Sequence, residues 1–483
     1  LYLLTFIVAF SPRPLLPFWL VEKVFPYVSF AAIVLISMGP DNFILQIILN
    51  LVCFYLIAQM CHNRLAKDRP PAESLTEFYF FMSLGGVIGG ALTALAAPLI
   101  FNDVYEYQLV IAIGGLVAIG AMPKGKQLWR DVLLGLAALA ILTAYVMNAS
   151  QLPDFVRNVA LLSFAVAMVA GVHLFRSSPV RLFIILLATA ILTVNIQGIF
   201  LAKGERIIYS DRIFFGVSKV IYNNTDNGPV HIFQHGNTKH NVQLRTQEAL
   251  DYPLAYYSPE GSFGQAVDAV RAQKRDMSVA VVGLGAGAMA CHVRENESWK
   301  FYEIDPLVIE MARTQELFTY VNNCAPNSPI VTGDARLTLQ QEPAAKFDLI
   351  MIDAFSSDAI PAHLVTKEAL ELYRSKLKQG GYIFFHTSNR NLDVSSVVLN
   401  VAEVSGLASR FISSKPDETI RYHEQVSASN AILVGDDEAS LNALLRDYPD
   451  WEVKKGSNLV GVWRDDFSHI IGALLANAFE DRK

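Results

Sequence analysis

Apolar segments of membrane-spanning length recur through the first 200 residues and then stop. They occupy 24–38, 42–60, 78–100, 104–122, 128–147, 155–175 and 180–200, and 1–10 reads as the remnant of another, broken by Ser11-Pro12-Arg13-Pro14. In a bilayer every backbone polar group must be satisfied within the segment, so such runs are restricted to helices. The count is seven or eight spans, and a cleaved signal peptide does not explain repeated spans. The hydrophobic fraction of 52% against 17% charged residues has this uneven distribution as its cause. Beyond residue 202 the chain reads as an ordinary charged globular sequence.

Within the apolar half, Gly85, Gly86, Gly89 and Gly90 have the spacing of a helix-packing face. Gln46, Asn50, Asn195 and Gln197 are the few polar residues inside spans; Asn195 and Gln197, near the end of the last span, are expected to bond between helices, with lining a cavity as the alternative. The basic residues Arg64, Lys67, Arg69, Lys124, Lys126, Arg130, Arg176 and Arg181 fall in three alternate loops, while the intervening loops are poor in them. The positive-inside rule puts those loops in the cytoplasm and the globular half on the opposite side. The ligand chemistry set out below nevertheless favours a cytoplasmic globular half, in a multi-pass protein of a cell membrane. The net charge of −6 gives no reason to expect nucleic acid as a partner. Cys291 and Cys324 are expected as partly buried free thiols, with a bridge between them as the alternative.

Strand-like runs at 230–233 and 242–244, joined by His235-Gly-Asn-Thr, indicate a small β-hairpin layer over 203–262. From residue 279 strand and helix alternate, as in a parallel, doubly wound α/β sheet over 263–483. The run Val279-Ala-Val-Val-Gly-Leu-Gly-Ala-Gly287 is an apolar strand feeding a turn of Gly283, Gly285 and Gly287, with a helix expected after it. Glu303 and Asp305 end the next strand. That is the layout of a nucleotide-binding βαβ unit. Two further strands end at Asp334-Ala335 and at Asp353. In this reading Glu303 takes the ribose hydroxyls, Asp334 and Ala335 read the adenine edge, and Asp353 stands at the reaction centre. The turn is not the Gly-x-Gly-x-x-Gly of dinucleotide sites, and carboxylates without compensating Arg or Lys favour a cationic ligand such as a sulfonium or an amine. Asp358, five residues beyond Asp353, is placed to hold a second ammonium, or else to cap a turn. Asp465 and Asp466, near the C-terminus, either close the site or form a solvated turn. No metal site is expected.

From about residue 211 onward the chain resembles the spermidine synthase family, especially its membrane-fused bacterial members. The matching pieces are Gly283-Leu-Gly-Ala-Gly287, Glu303-Ile-Asp305, Gly333-Asp-Ala335 and Asp353 with Asp358; Gly236 to Gln243 resembles the family's Gly-x-x-Gln segment, and Tyr256-Tyr257 its following tyrosine. The resemblance implies a Rossmann-like, class I methyltransferase-like domain behind a small β-domain. It implies aminopropyl transfer from decarboxylated S-adenosylmethionine to putrescine, with Asp353 as base and Gln243 and Tyr257 near the substrate. Soluble relatives are dimers, which makes a homodimer one expected assembly. Two departures stand out. The family's soluble members carry an Asp within the glycine turn, where this chain has Ala286, and that opens intact S-adenosylmethionine, methyl transfer or cosubstrate cleavage as alternatives. They also space the two loop acids as Asp-x-x-Asp, where this chain has Asp353 and Asp358. The acceptor is a small-molecule amine, either a polyamine or a lipid amine of the bilayer. A reading of another class is a membrane transporter or sensor whose domain only binds the ligand.

Overall fold

The structure is a computed structural model that describes residues 1–11, 17–38, 43–118, 123–149, 154–200, 205–355, 360–416 and 418–480. The chain divides into two units, Leu1–Lys203 and Gly204–Lys483.

In the first unit the apolar segments are helical: Tyr2–Phe10, Phe18–Met38, Phe43–Lys67, Leu75–Ala91 continuing to Ile100, Tyr105–Ala118, Lys126–Ala149, Asp154–Phe175 and Pro179–Phe200. Seven or eight spans were expected. Among the described residues, three stretches are long and apolar enough to cross a membrane: Phe18–Ile36, Leu45–Lys67 and Ala72–Ile100. Their interior contacts involve Val21, Phe25, Cys53, Leu182 and Leu186. Large apolar side chains such as Val87, Leu99 and Leu133 are exposed, and patches of that kind call for an apolar surrounding. The expected glycine packing face is corrected: a Cβ on Gly85, Gly86, Gly89 or Gly90 would meet nothing within 4 Å. The close approaches are instead at Gly135, against Ile184, and Gly171, against Ile185. Asn50 joins two helices, accepting from the Tyr107 hydroxyl at 2.7 Å. The side chains of Asn195 and Gln197 lie outside the described residues.

The second unit opens with four antiparallel strands: β1 (Arg206–Ile213), β2 (Gly216–Thr225), β3 (Gly228–His235) and β4 (Thr238–Leu244). The sequence reading finds β3 and β4 alone, because polar residues interrupt the apolar alternation of β1 and β2. A register shift at Phe233/Gln234 makes His240 the extra residue between Asn241 and Lys239, so β4 is bulged there.

The main sheet contains β5 (Ser278–Val282), β6 (Ser298–Glu303), β7 (Ile330–Thr332), β8 (Phe347–Ile352), β9 (Leu377–His386), β10 (Ala408–Ser414) and β11 (Ser429–Gly435). Their order is β10-β11-β9-β8-β5-β6-β7. Strands β5 to β9 pair in parallel, while β11 runs antiparallel to both β9 and β10, so the sheet is mixed rather than wholly parallel. Alternate residues fill two cores. Val279, Val281, Leu349 and Met351 face one side, and Ala280, Val282, Ile350 and Ile352 face the other. Strand order reverses between β5 and β8, where such sheets open a crevice beyond the strands' carboxyl ends.

Two local expectations are corrected. The segment after the glycine turn is a short 3-10 turn, Ala288–His292, rather than a long helix. Gly380 and Gly381 lie inside β9, where the β8–β9 register shifts. Cys291 and Cys324 are bridged, not free: their Cα atoms stand 4.8 Å apart, which brings the 3-10 turn against helix Tyr320–Cys324. Closing a loop of 33 residues removes unfolded-state entropy worth about 4 kcal/mol. A Cys291→Ser, Cys324→Ser double variant is therefore expected to unfold at clearly lower denaturant than the oxidised parent, and reduction of the parent should reproduce the shift.

Candidate functional site

Four strand ends of the main sheet converge on one cavity of about 290 Å³. Each apolar strand is held by its neighbours along its length, so the first polar residue past its end is delivered to the crevice. Gly283, Gly285, Glu303, Asp305, Asp334, Ala335, Asp353 and Tyr257 all line it. Phe215, Phe233, His235 and His240 from the small β-layer, with Tyr256, Phe355 and His363, complete the wall. No lysine or arginine lines it among the described residues.

The glycine turn is bound to the acid of the next strand. The Leu284 N–H donates to Glu303 Oε2 and the Asp305 N–H donates to Oε1, each at 2.9 Å. Each carboxylate oxygen keeps a second lone pair for a ligand hydroxyl. Burial pushes the Glu303 carboxyl up to about 7, with the backbone N–H groups offsetting part of that rise. The sign of the consequence is definite. Because this folded value lies above that of the unfolded chain, Glu303 contributes its stability fully below the unfolded carboxyl's pKa. That contribution is lost as pH rises through about 7. Ribose hydroxyls donating to Glu303 favour its ionised form. A ligand that donates hydroxyls to Glu303 is thus expected to bind more tightly near pH 8 than near pH 6, by up to about tenfold, and Glu303→Gln should flatten the dependence; calorimetry at the two pH values, with methylthioadenosine as the probe, checks this.

Asp305 caps helix Pro306–Arg313, accepting from the Leu307 N–H at 2.8 Å, and burial raises its pKa. Its Oδ2 has no protein partner. Asp334 caps helix Ala335–Gln340 and bonds the Nε2 of His363 at 2.9 Å. At the centre, Asp353 is buried and doubly held. The Tyr257 hydroxyl donates to its Oδ2 at 2.6 Å, and His386 Nδ1 bonds its Oδ1 at 2.7 Å. Burial, and then the Asp353 charge, push the Tyr257 hydroxyl well above an ordinary tyrosine, so it remains a donor. Gly283 is required beneath this centre. Its φ is +97°, and a Cβ there would collide with the Asp353 carbonyl oxygen.

Two expected site residues stand elsewhere, and a third falls outside the described residues. Gln243 is fully buried outside the cavity lining. Its Nε2 donates to the Leu250 carbonyl and Thr319 Oγ1, and its Oε1 accepts from Arg245 and the Thr319 N–H. Gly287 packs against Val321 rather than lining the cavity. Asp358 lies outside the described residues. Of the late acids, Asp465 holds Arg336 in a two-point ion pair at 2.6 Å and accepts from Thr366, away from the lining. His386, His363 and Asn241 are site-proximal residues that the sequence reading passes over. His386 ends β9 as Asp353 follows β8, so extending the strand-end argument by one strand finds it. His363 and Asn241 carry no such signal.

Strand order and the crevice define a Rossmann-like α/β domain of the type that holds a ligand on a glycine turn. Residues 269–411 match the Spermine/spermidine synthase domain. The Vibrio vulnificus (strain CMCP6) polyamine aminopropyltransferase is 31% identical over 114 residues, which cover 23% of this chain and 37% of that relative's length. This stretch is similar to the spermine/spermidine synthase domain, and the chain spans well under half the length of the curated relative that it matches. Among solved structures, the spermidine synthase from Thermotoga maritima aligns at 15% identity with a TM-score of 0.37, covering 57% of this chain and 87% of that one. A probable spermidine synthase from Corynebacterium glutamicum aligns at 17% identity with a TM-score of 0.36, covering 53% and 91%.

Proposed function

We propose that this protein is a membrane-anchored aminopropyltransferase that moves the aminopropyl group of decarboxylated S-adenosylmethionine to an amine such as putrescine. The observation that carries the reading is Asp353, a buried carboxylate held by Tyr257 and His386 at the edge of a cavity that also exposes Glu303 and Asp334. In the reaction the amine nitrogen attacks the carbon beside the sulfonium. The new C–N bond forms as the C–S bond breaks, and the sulfur leaves as a neutral thioether. The amine must first lose a proton, and Asp353 is the nearest anchored acceptor. Tyr257 and His386 hold both carboxylate oxygens in place, so orientation is set before substrate arrives. Glu303 takes the ribose, and Asp334 with Ala335 meets the base. Gln243 serves the site at one remove, by anchoring the chain around Thr319.

Incubating the purified protein with the decarboxylated cosubstrate and putrescine tests the proposal. Methylthioadenosine together with spermidine is the expected product pair. Absence of turnover with that cosubstrate, and S-adenosylhomocysteine from the intact one, would instead establish methyl transfer. Ala286, buried within the glycine turn where soluble relatives carry an acid, is the observation that keeps that second reading in view.

A further inference from the structure

The side chain of Asn241 is unexplained by the fold. The residue is 1% exposed, and neither its Oδ1 nor its Nδ2 has a hydrogen-bond partner among the described residues. A buried amide left unpaired at both ends is unfavourable, and in native structures it calls for a ligand-side explanation. Its position supplies one. A Cβ built on Gly285 of the cavity lining would find the Tyr257 hydroxyl at 3.6 Å and Asn241 Nδ2 at 3.9 Å, so both groups stand over the middle glycine of the turn. Tyr257 is the donor to Asp353. Asn241 therefore borders the space between the turn and the reaction centre.

The backbone reason lies in the small β-layer. Asn241 pairs with Phe233, and the next ladder pair is Lys239 with Gln234, which leaves His240 as the extra residue of a bulge. A bulge interrupts strict alternation and re-aims side chains, and such bulges recur beside active sites. Here His240 lines the cavity while its neighbour Asn241 stands over the glycine turn.

We propose that Asn241 is a specificity-determining residue that reads the tail of the cosubstrate, the chain running from sulfur to its terminal amine. This inference rests on the adenosyl sulfonium reading above. An amide is neutral and two-sided. Its Oδ1 accepts from an ammonium, and its Nδ2 donates to a carboxylate. A carboxylate in its place would attract the ammonium and repel a tail that still bears its own carboxylate. With the amide, and with apolar Ala286 in the turn, that repulsion is missing. The site accordingly binds intact and decarboxylated S-adenosylmethionine with similar affinity, and its preference is set at position 241.

Calorimetry on the full chain with three compounds, methylthioadenosine and the two sulfonium forms, tests this. The wild type is expected to bind both sulfonium forms within about tenfold of each other. Asn241→Asp should shift that ratio by about tenfold or more toward the decarboxylated form, as a new charge beside an opposite charge does. Asn241→Ala should weaken both sulfonium forms and leave methylthioadenosine, which lacks the tail, unchanged. Unchanged methylthioadenosine binding also shows that each variant is folded. An unaltered ratio in Asn241→Asp, or undiminished sulfonium binding in Asn241→Ala, overturns the inference while the adenosyl reading stands. Failure of the wild type to bind any of the three overturns both.

Discussion

Asp353→Asn is expected to lower turnover by about 10³-fold while methylthioadenosine binding stays within about threefold. The substitution is nearly isosteric and keeps both neighbours satisfied. The Asn carbonyl can accept from His386, and its amide can donate to the Tyr257 oxygen, which in turn faces the Tyr256 hydroxyl at 3.4 Å. What is lost is the ability to take a proton from the attacking amine. Single-turnover rates beside calorimetric binding separate the two effects. A variant that binds and turns over like its parent would remove Asp353 from the chemistry, and would favour a transporter or sensor whose domain only holds the ligand.

Gly283→Ala is expected to be the most damaging single methyl group in the domain. Two independent costs fall on it. A φ of +97° is strained for any residue with a Cβ, and the new methyl would meet the backbone oxygen of Asp353, which cannot move aside as a side chain can. Together they amount to about 4 kcal/mol. The Asp353 N–H donates to the Val282 carbonyl at 2.8 Å, so relief of the clash would pull the end of β8 away from β5. Thermal unfolding and ligand affinity should both fall. Gly285→Ala is the informative contrast, because its Cβ meets nothing nearer than 3.6 Å and its cost is confined to the positive φ and to space taken from the ligand.

The acids of the site were legible because each follows a run of buried apolar residues. Phe-Asp-Leu-Ile-Met-Ile before Asp353 is buried at every position, and a fully buried parallel strand has few other ways to read. The glycine turn was legible for a related reason, since glycine is the residue that tolerates its backbone angles. Other features depend on contacts between distant segments, which a linear pattern does not carry. Asn241 owes its place to one extra residue in β4. Helix Tyr320–Cys324 and the 3-10 turn are brought together by the tertiary fold across a separation of 33 residues, so the cysteine pair could not be told from two buried thiols. The glycine spacing of 85–90 suggested a packing face, yet the close approach fell at Gly135, because packing depends on which helix is opposite and not on spacing alone.

The Cys291–Cys324 bridge has a consequence for cell biology. Thiols in a cytosol are kept reduced, whereas those beyond the inner membrane are oxidised. Cys291 sits four residues past Gly287, the last glycine of the turn, so the pair's oxidation state in intact cells is a chemical record of the compartment in which the cavity lies. On the function proposed above, a bridged pair goes with the arrangement the basic loops imply and with cosubstrate delivered across the bilayer. A reduced pair goes with direct access to the cytosolic pool. Alkylation of cells before lysis, followed by a mobility shift, reads which of the two economies of supply applies.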